Sequence, residues 1–113
     1  MRYTLVVCAE EAANAVVETE LLVAFAGFED RMRERGVLVT TNRLRPAVTA
    51  TTVKVRNGDL VIADGPFAET KEQIAGFYVV ECQDLDDAID VARQIPAAGF
   101  GTIEIRPNWQ NPA

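Results

Sequence analysis

A chain of 113 residues, 49% hydrophobic and 25% charged, has the size and balance of one soluble globular domain, with disorder expected only at Gln110 to Ala113. Its net charge of −6, from 11 Lys+Arg against 17 Asp+Glu, opposes nucleic-acid binding, which needs basic surface to displace phosphate counterions. The chain contains no histidine. That excludes Ser-His and Cys-His nucleophile pairs and removes the commonest metal ligand.

The elements follow in chain order. Residues 2–8 read as a strand rich in Val, Leu and Tyr, with no secretory signal ahead of it. Glu10 to Val17 reads as a connection of small and acidic residues. Leu21, Phe25, Phe28 and Met32 then recur at helical spacing and predict a helix over about 18–35, stopped at Gly36. Arg31, Arg33 and Arg35 on this helix are interleaved with Glu29, Asp30 and Glu34, as on a solvated face. Val37 to Thr41 begins a second strand, and Pro46 ends its pairing. Thr51 to Arg56 alternates, Asn57-Gly58 is a hairpin signal, and Asp59 to Ala63 returns antiparallel. Gly76 to Cys82 is another strand. Asp84 caps a helix over Leu85 to Ile95 with Leu85, Ala88, Ile89 and Ala92 on its apolar face, and Pro96 stops it. Thr102 to Arg106 is the last strand.

This order makes two strand-helix-strand units around a hairpin. It predicts an α+β, ferredoxin-like βαββαβ sandwich in which the inserted hairpin 51–63 extends the sheet. Val53, Val55, Leu60, Ile62, Phe77 and Val79 cannot all face the helices. The expected cover for the remainder is a second copy, packed sheet to sheet as a homodimer of the dimeric α+β barrel type. No apolar run is long enough to cross a membrane, and the two cysteines, Cys8 and Cys82, read as small core residues in a reduced, cytoplasmic protein.

The segment Asp64-Gly65-Pro66-Phe67-Ala68-Glu69-Thr70-Lys71-Glu72 stands out between two strands. A hairpin needs only about two to five residues, and this connection is longer and rich in hydrogen-bonding groups, so it is expected either to shape a ligand-binding site or to brace an interface. Asp64 fits either a carboxylate base or a turn residue bonded to nearby amides. Gly65 supplies permissive torsions ahead of Pro66. Phe67 reads as an anchor that buries the loop. Thr70 and Gln73 have capping-box spacing for a short helical turn that includes Glu69, Lys71 and Glu72. Lys71 fits a network of paired carboxylates or an anion or Schiff-base site. Arg43, Arg45 and Arg106 read as solvated sheet ends, and Tyr3, Tyr78 and Trp109 as packing residues, with Trp109 pinning the tail across a partner subunit. No metal or cofactor motif is present.

The run from Asp64 to Tyr78 resembles the signature of the YCII-related family, in its DGPF-motif branch. The opening Arg2-Tyr3-Thr4-Leu5, the segment Thr51 to Arg56, the start of the Asp84 helix and the ending Ile103 to Pro107 match in type and order. The resemblance implies a dimeric ferredoxin-like fold. It also implies an association with extracytoplasmic-function sigma factors, for which Glu81, Asp84, Asp86, Asp87 and Asp90 would form an acidic docking face. The His-Asp pair of some members has no counterpart here. The expected function is therefore a small-molecule-binding or accessory module, the alternative being an enzyme that uses Asp64 and Lys71 as acid-base partners.

Overall fold

A computed structural model describes residues 1–11 and 19–110. Most of the connection Glu10 to Val17, and the tail beyond Gln110, lie outside the described residues. Among the described residues are six strands and two α-helices of eight residues or more: β1 (Arg2–Ala9), α1 (Thr19–Glu34), β2 (Leu38–Arg43), β3 (Thr51–Arg56), β4 (Asp59–Asp64), β5 (Gln73–Glu81), α2 (Leu85–Ala92) and β6 (Thr102–Pro107).

Four strands form an antiparallel sheet in the order β2-β5-β1-β6. β1 and β2 run parallel with β5 between them, and β5 and β6 run parallel with β1 between them. These are the two interleaved units expected of a ferredoxin-like α+β fold. Tyr3, Leu5, Val7 and Ala9 are buried on one side of β1, and Gly76, Tyr78 and Val80 on the same side of β5. Phe28 and Met32 of α1 and Ala88, Val91 and Ala92 of α2 close over them. The Phe28 ring meets Tyr78 edge-on, with centroids 5.2 Å apart.

The stripe expected on α1 forms, with Phe28 and Met32 fully inside and Phe25 packed against the core. Gly36 ends that helix at φ 70°, and the Val37 N–H donates to the Met32 carbonyl at 2.9 Å. α2 is shorter than expected and is rotated. Val91 takes an inner position, while Leu85 and Ile89 stay about half exposed. The small side chains of Ala88 and Ala92 let the helix axis approach the sheet, which turns the larger pair outward.

The hairpin does not extend the sheet. β3 and β4 form a separate two-stranded sheet. After β2 the Leu44 N–H makes one more bond to Ala75, then Pro46 leads into a 3-10 turn over Ala47–Thr49 that carries the chain away from the sheet edge. The expected Asn57-Gly58 turn forms, both residues with positive φ (52° and 80°), as this tight hairpin turn requires.

The other face of the four-stranded sheet has no covering element among the described residues. Val6, Phe77 and Val79 line its middle, half-buried by their neighbours. Cys8 belongs to this open face rather than to the core, whereas Cys82 is buried.

Candidate functional site

A cleft of about 440 Å³ opens between α1 and the β2–β5 side of the sheet. Leu21, Leu22, Phe25 and Ala26 form its helical wall, and Val7, Ala75, Gly76 and Tyr78 are among the residues of its sheet wall. Glu29, Thr41, Asn42 and Arg43 add polar groups. Gly76 sits where β2 and β5 come closest. A Cβ at this position would lie 2.5 Å from the Asn42 carbonyl oxygen, so the strand pairing that builds the wall needs a residue without one.

Tyr78 and Thr41 are register partners on β5 and β2. The Thr41 hydroxyl donates to the Phe77 carbonyl at 2.9 Å. Burial, followed by the nearby Glu29 carboxylate, pushes the Tyr78 phenol up to about 12, so it stays protonated at neutral pH. In the cleft it can donate a hydrogen bond and cannot serve as a base. The site thus combines a mostly apolar enclosure with the neutral polar groups of Tyr78, Thr41 and Asn42, one carboxylate and one guanidinium.

The segment from Asp64 to Glu72 lies elsewhere on the surface. Asp64 is the exposed last residue of β4, opposite Thr51. Gly65 turns the chain at φ 97° and donates its N–H to the Ala50 carbonyl at 2.8 Å, closing the base of the hairpin. Pro66 is half-buried. Phe67 is 86% exposed and is not buried as an anchor among the described residues. The core beneath the sheet is already filled by the strands and helices, and this loop runs outside it. No helical turn forms at Thr70. Instead its hydroxyl donates to the Glu72 carbonyl, the Gln73 amide donates to the Thr70 carbonyl at 3.0 Å, and β5 begins at Gln73. Glu69 is exposed. Lys71 is 86% exposed and pairs with Glu10 at 3.4 Å rather than joining a buried network.

Glu72 connects this segment to the open sheet face. Its carboxylate accepts a 2.7 Å bond from the Thr102 hydroxyl at the start of β6. Thr102 is the register partner of Cys8. Burial, then the Glu104 and Glu72 carboxylates, raise the Cys8 thiol above its ordinary range, which keeps it protonated and a poor nucleophile. The same row carries the Glu104–Arg106 ion pair at 2.9 Å and the Thr4 hydroxyl bonded to Asn108 at 2.6 Å. The segment therefore borders the open face with hydrogen-bonded polar groups. Arg45 is exposed, and among the described residues Trp109 is 96% exposed.

Sequence reasoning missed the cleft. It treated Tyr78 as packing, Arg43 as a solvated strand end and Glu29 as a solvated helix residue. The available signal was the placement of Tyr78 and Thr41 at inward-facing strand positions, where polar groups need a partner. No described helix is long and apolar enough to cross a membrane.

The comparisons with known proteins agree with the fold. Residues 1–110 match the YCII-related domain. An uncharacterized protein of Rhizobium meliloti (strain 1021) is 45% identical over 76 residues, a stretch that covers 66% of this chain and 61% of that relative. Because the match to that domain spans all but the last three residues, the chain belongs to the YCII-related domain family.

Proposed function

We propose that this protein, of the DGPF-motif branch, is a homodimeric small-molecule-binding module. Its ligand has an apolar body and a hydrogen-bonding head. The observation that carries the reading is the 440 Å³ cleft under α1. Its size falls in the ordinary range for ligand sites, about 300–1,000 Å³, and a few polar groups converge in an otherwise apolar lining. Tyr78 supplies a donor, and Arg43 a charge that favours an acidic head. The uncovered apolar sheet face supports the dimer.

The acid-base alternative gains no comparable support. Lys71 is engaged in a solvent-exposed ion pair with Glu10. On the acidic helix, Asp87 accepts from the Gln83 N–H and Asp90 pairs with Arg93, both at 2.9 Å, so these carboxylates serve the helix itself.

Titration of the labelled protein with phenylacetate, octanoate and their neutral amides, followed by amide chemical shifts, tests the proposal. Saturable shifts confined to residues 21–26, 41–43 and 75–78 are expected, the acids binding more tightly than the amides. Ala26→Trp, which fills the cleft from its helical wall, should abolish them. No saturable shift with any of the four compounds at millimolar concentration would refute the reading.

A further inference from the structure

The β3–β4 hairpin has two faces of opposite character. Val53 stands opposite Ile62, and Val55 opposite Leu60. Directly opposed residues of an antiparallel pair project to the same side, so these four aliphatics form one patch. Each is 60–62% exposed. The other side alternates Thr52 with Ala63, Lys54 with Val61 and Arg56 with Asp59, a surface suited to water.

A two-stranded hairpin alone is marginal in water at best. Among the described residues this one pairs only with itself. It also stands away from the body. The radius of gyration is 16.0 Å, against about 13 Å for a compact chain of this length. An arm with an aliphatic underside and, among the described residues, nothing of its own chain to rest on needs a cover that is present whenever the protein is folded.

We propose that the hairpin is a clasping arm whose aliphatic side lies on a second copy of this chain. The inference rests on the homodimer proposed above and adds to it a surface and an orientation. Area favours a second copy. Four strands at about 4.8 Å spacing and about six residues long give the open sheet face a footprint of roughly 400 Å². A standard interface buries about 800 Å² per partner. Side-chain relief makes the accessible area larger than this planar footprint, and two symmetry-related arms, each laid on the other subunit, add further apolar area of the same kind towards that total. Continuity points the same way. β4 runs into the 64–72 segment, and the Glu72–Thr102 bond fixes the end of that segment at the border of the open face. The arm therefore springs from the edge of the surface that the partner would cover.

Sedimentation equilibrium on the full chain tests this with three proteins: the parent, a Val55→Lys/Leu60→Lys variant of the aliphatic side, and a Lys54→Glu variant of the polar side. The parent should be a dimer. The aliphatic-side variant should raise its dissociation constant by about 30-fold or more, and the polar-side variant by less than about 3-fold. A smaller rise in the first, or an equal rise in both, overturns the arm and leaves the dimer standing. A parent that is monomeric at micromolar concentration overturns both. Because the double variant can lose the hairpin itself, hydrogen exchange on the parent gives a second reading. The hydrogen-bonded amides of Thr52, Lys54, Val61 and Ala63 should be protected in the concentrated dimer and lose that protection on dilution below the dissociation constant. If they exchange freely in the dimer, the arm is not clasped.

Discussion

Tyr78 sets two properties from one position. Its ring packs edge-on against Phe28 in the core, while its phenol belongs to the cleft. The folded protein raises the phenol from 10.0 to about 12, chiefly by burial. The proton is therefore held by the folded state and released by the unfolded chain between those values. The associated stability is fully present below about pH 10 and is lost as pH rises from about 10 to about 12, a change of about 2–3 kcal/mol. Urea unfolding of the parent and of Tyr78→Phe across that range should show the stability difference shifting by this amount. A constant difference would contradict the burial account. Gly76 acts through what it lacks. Gly76→Ala drives a Cβ into the Asn42 carbonyl and should cost about 1–3 kcal/mol in chemical denaturation. A loss within experimental error would mean that β2 yields easily and does not define the cleft wall. Single residues were unevenly legible. Tyr3 is buried as its amphipathic chemistry suggested, but Phe67 and Trp109 are exposed, because an aromatic side chain reports a need for cover without saying which surface provides it.

At the scale of elements, local chemistry dominates where the element carries its own signal. Asp84 caps α2, its carboxylate accepting the Asp87 N–H at 2.9 Å. Asp84→Ala should cost about 1 kcal/mol, and Asp84→Ser much less, when thermal unfolding of the two is compared. Equal losses would assign the effect to charge rather than to capping. The Asn57-Gly58 turn and the Gly36 stop were legible for the same reason, since each depends on a backbone conformation that few residues adopt. The apolar face of α2 was misplaced by part of a turn. Leu85 and Ile89 fit a helical stripe as well as Val91 does, and only the fit of Ala88 and Ala92 against the sheet decides between them. The 64–72 segment showed the same limit. Thr70 and Gln73 have the spacing of a capping box, yet the start of β5 at Gln73 leaves no room for the helix.

The whole molecule is a flat slab, with principal extents of 47 × 44 × 19 Å. The thin dimension accommodates one sheet and one layer of helices. A two-layer slab shields one side of its sheet and leaves the other to be covered from outside. Val6, Phe77 and Val79 on that open side, and the aliphatic underside of the hairpin, are the two surfaces from which the homodimer and its clasping arm are proposed. The cleft lies on the opposite, helix-bearing side, so the proposed ligand site and the proposed pairing surface are on different faces. Titration with the acids and sedimentation of the arm variants accordingly report on separate surfaces.

The sequence by itself determined the order and type of the elements, the two interleaved strand-helix-strand units and the family. These follow from periodicity, turn chemistry and caps, which act over a few residues. The tertiary structure alone decided that the hairpin stands apart from the sheet, that Cys8 faces outward while Cys82 is enclosed, and that Tyr78, Thr41, Glu29 and Arg43 meet around one hollow. Those outcomes depend on how strands separated by more than thirty residues come into register. No local pattern encodes that alignment, because the burial energy that selects it belongs to the assembled sheet.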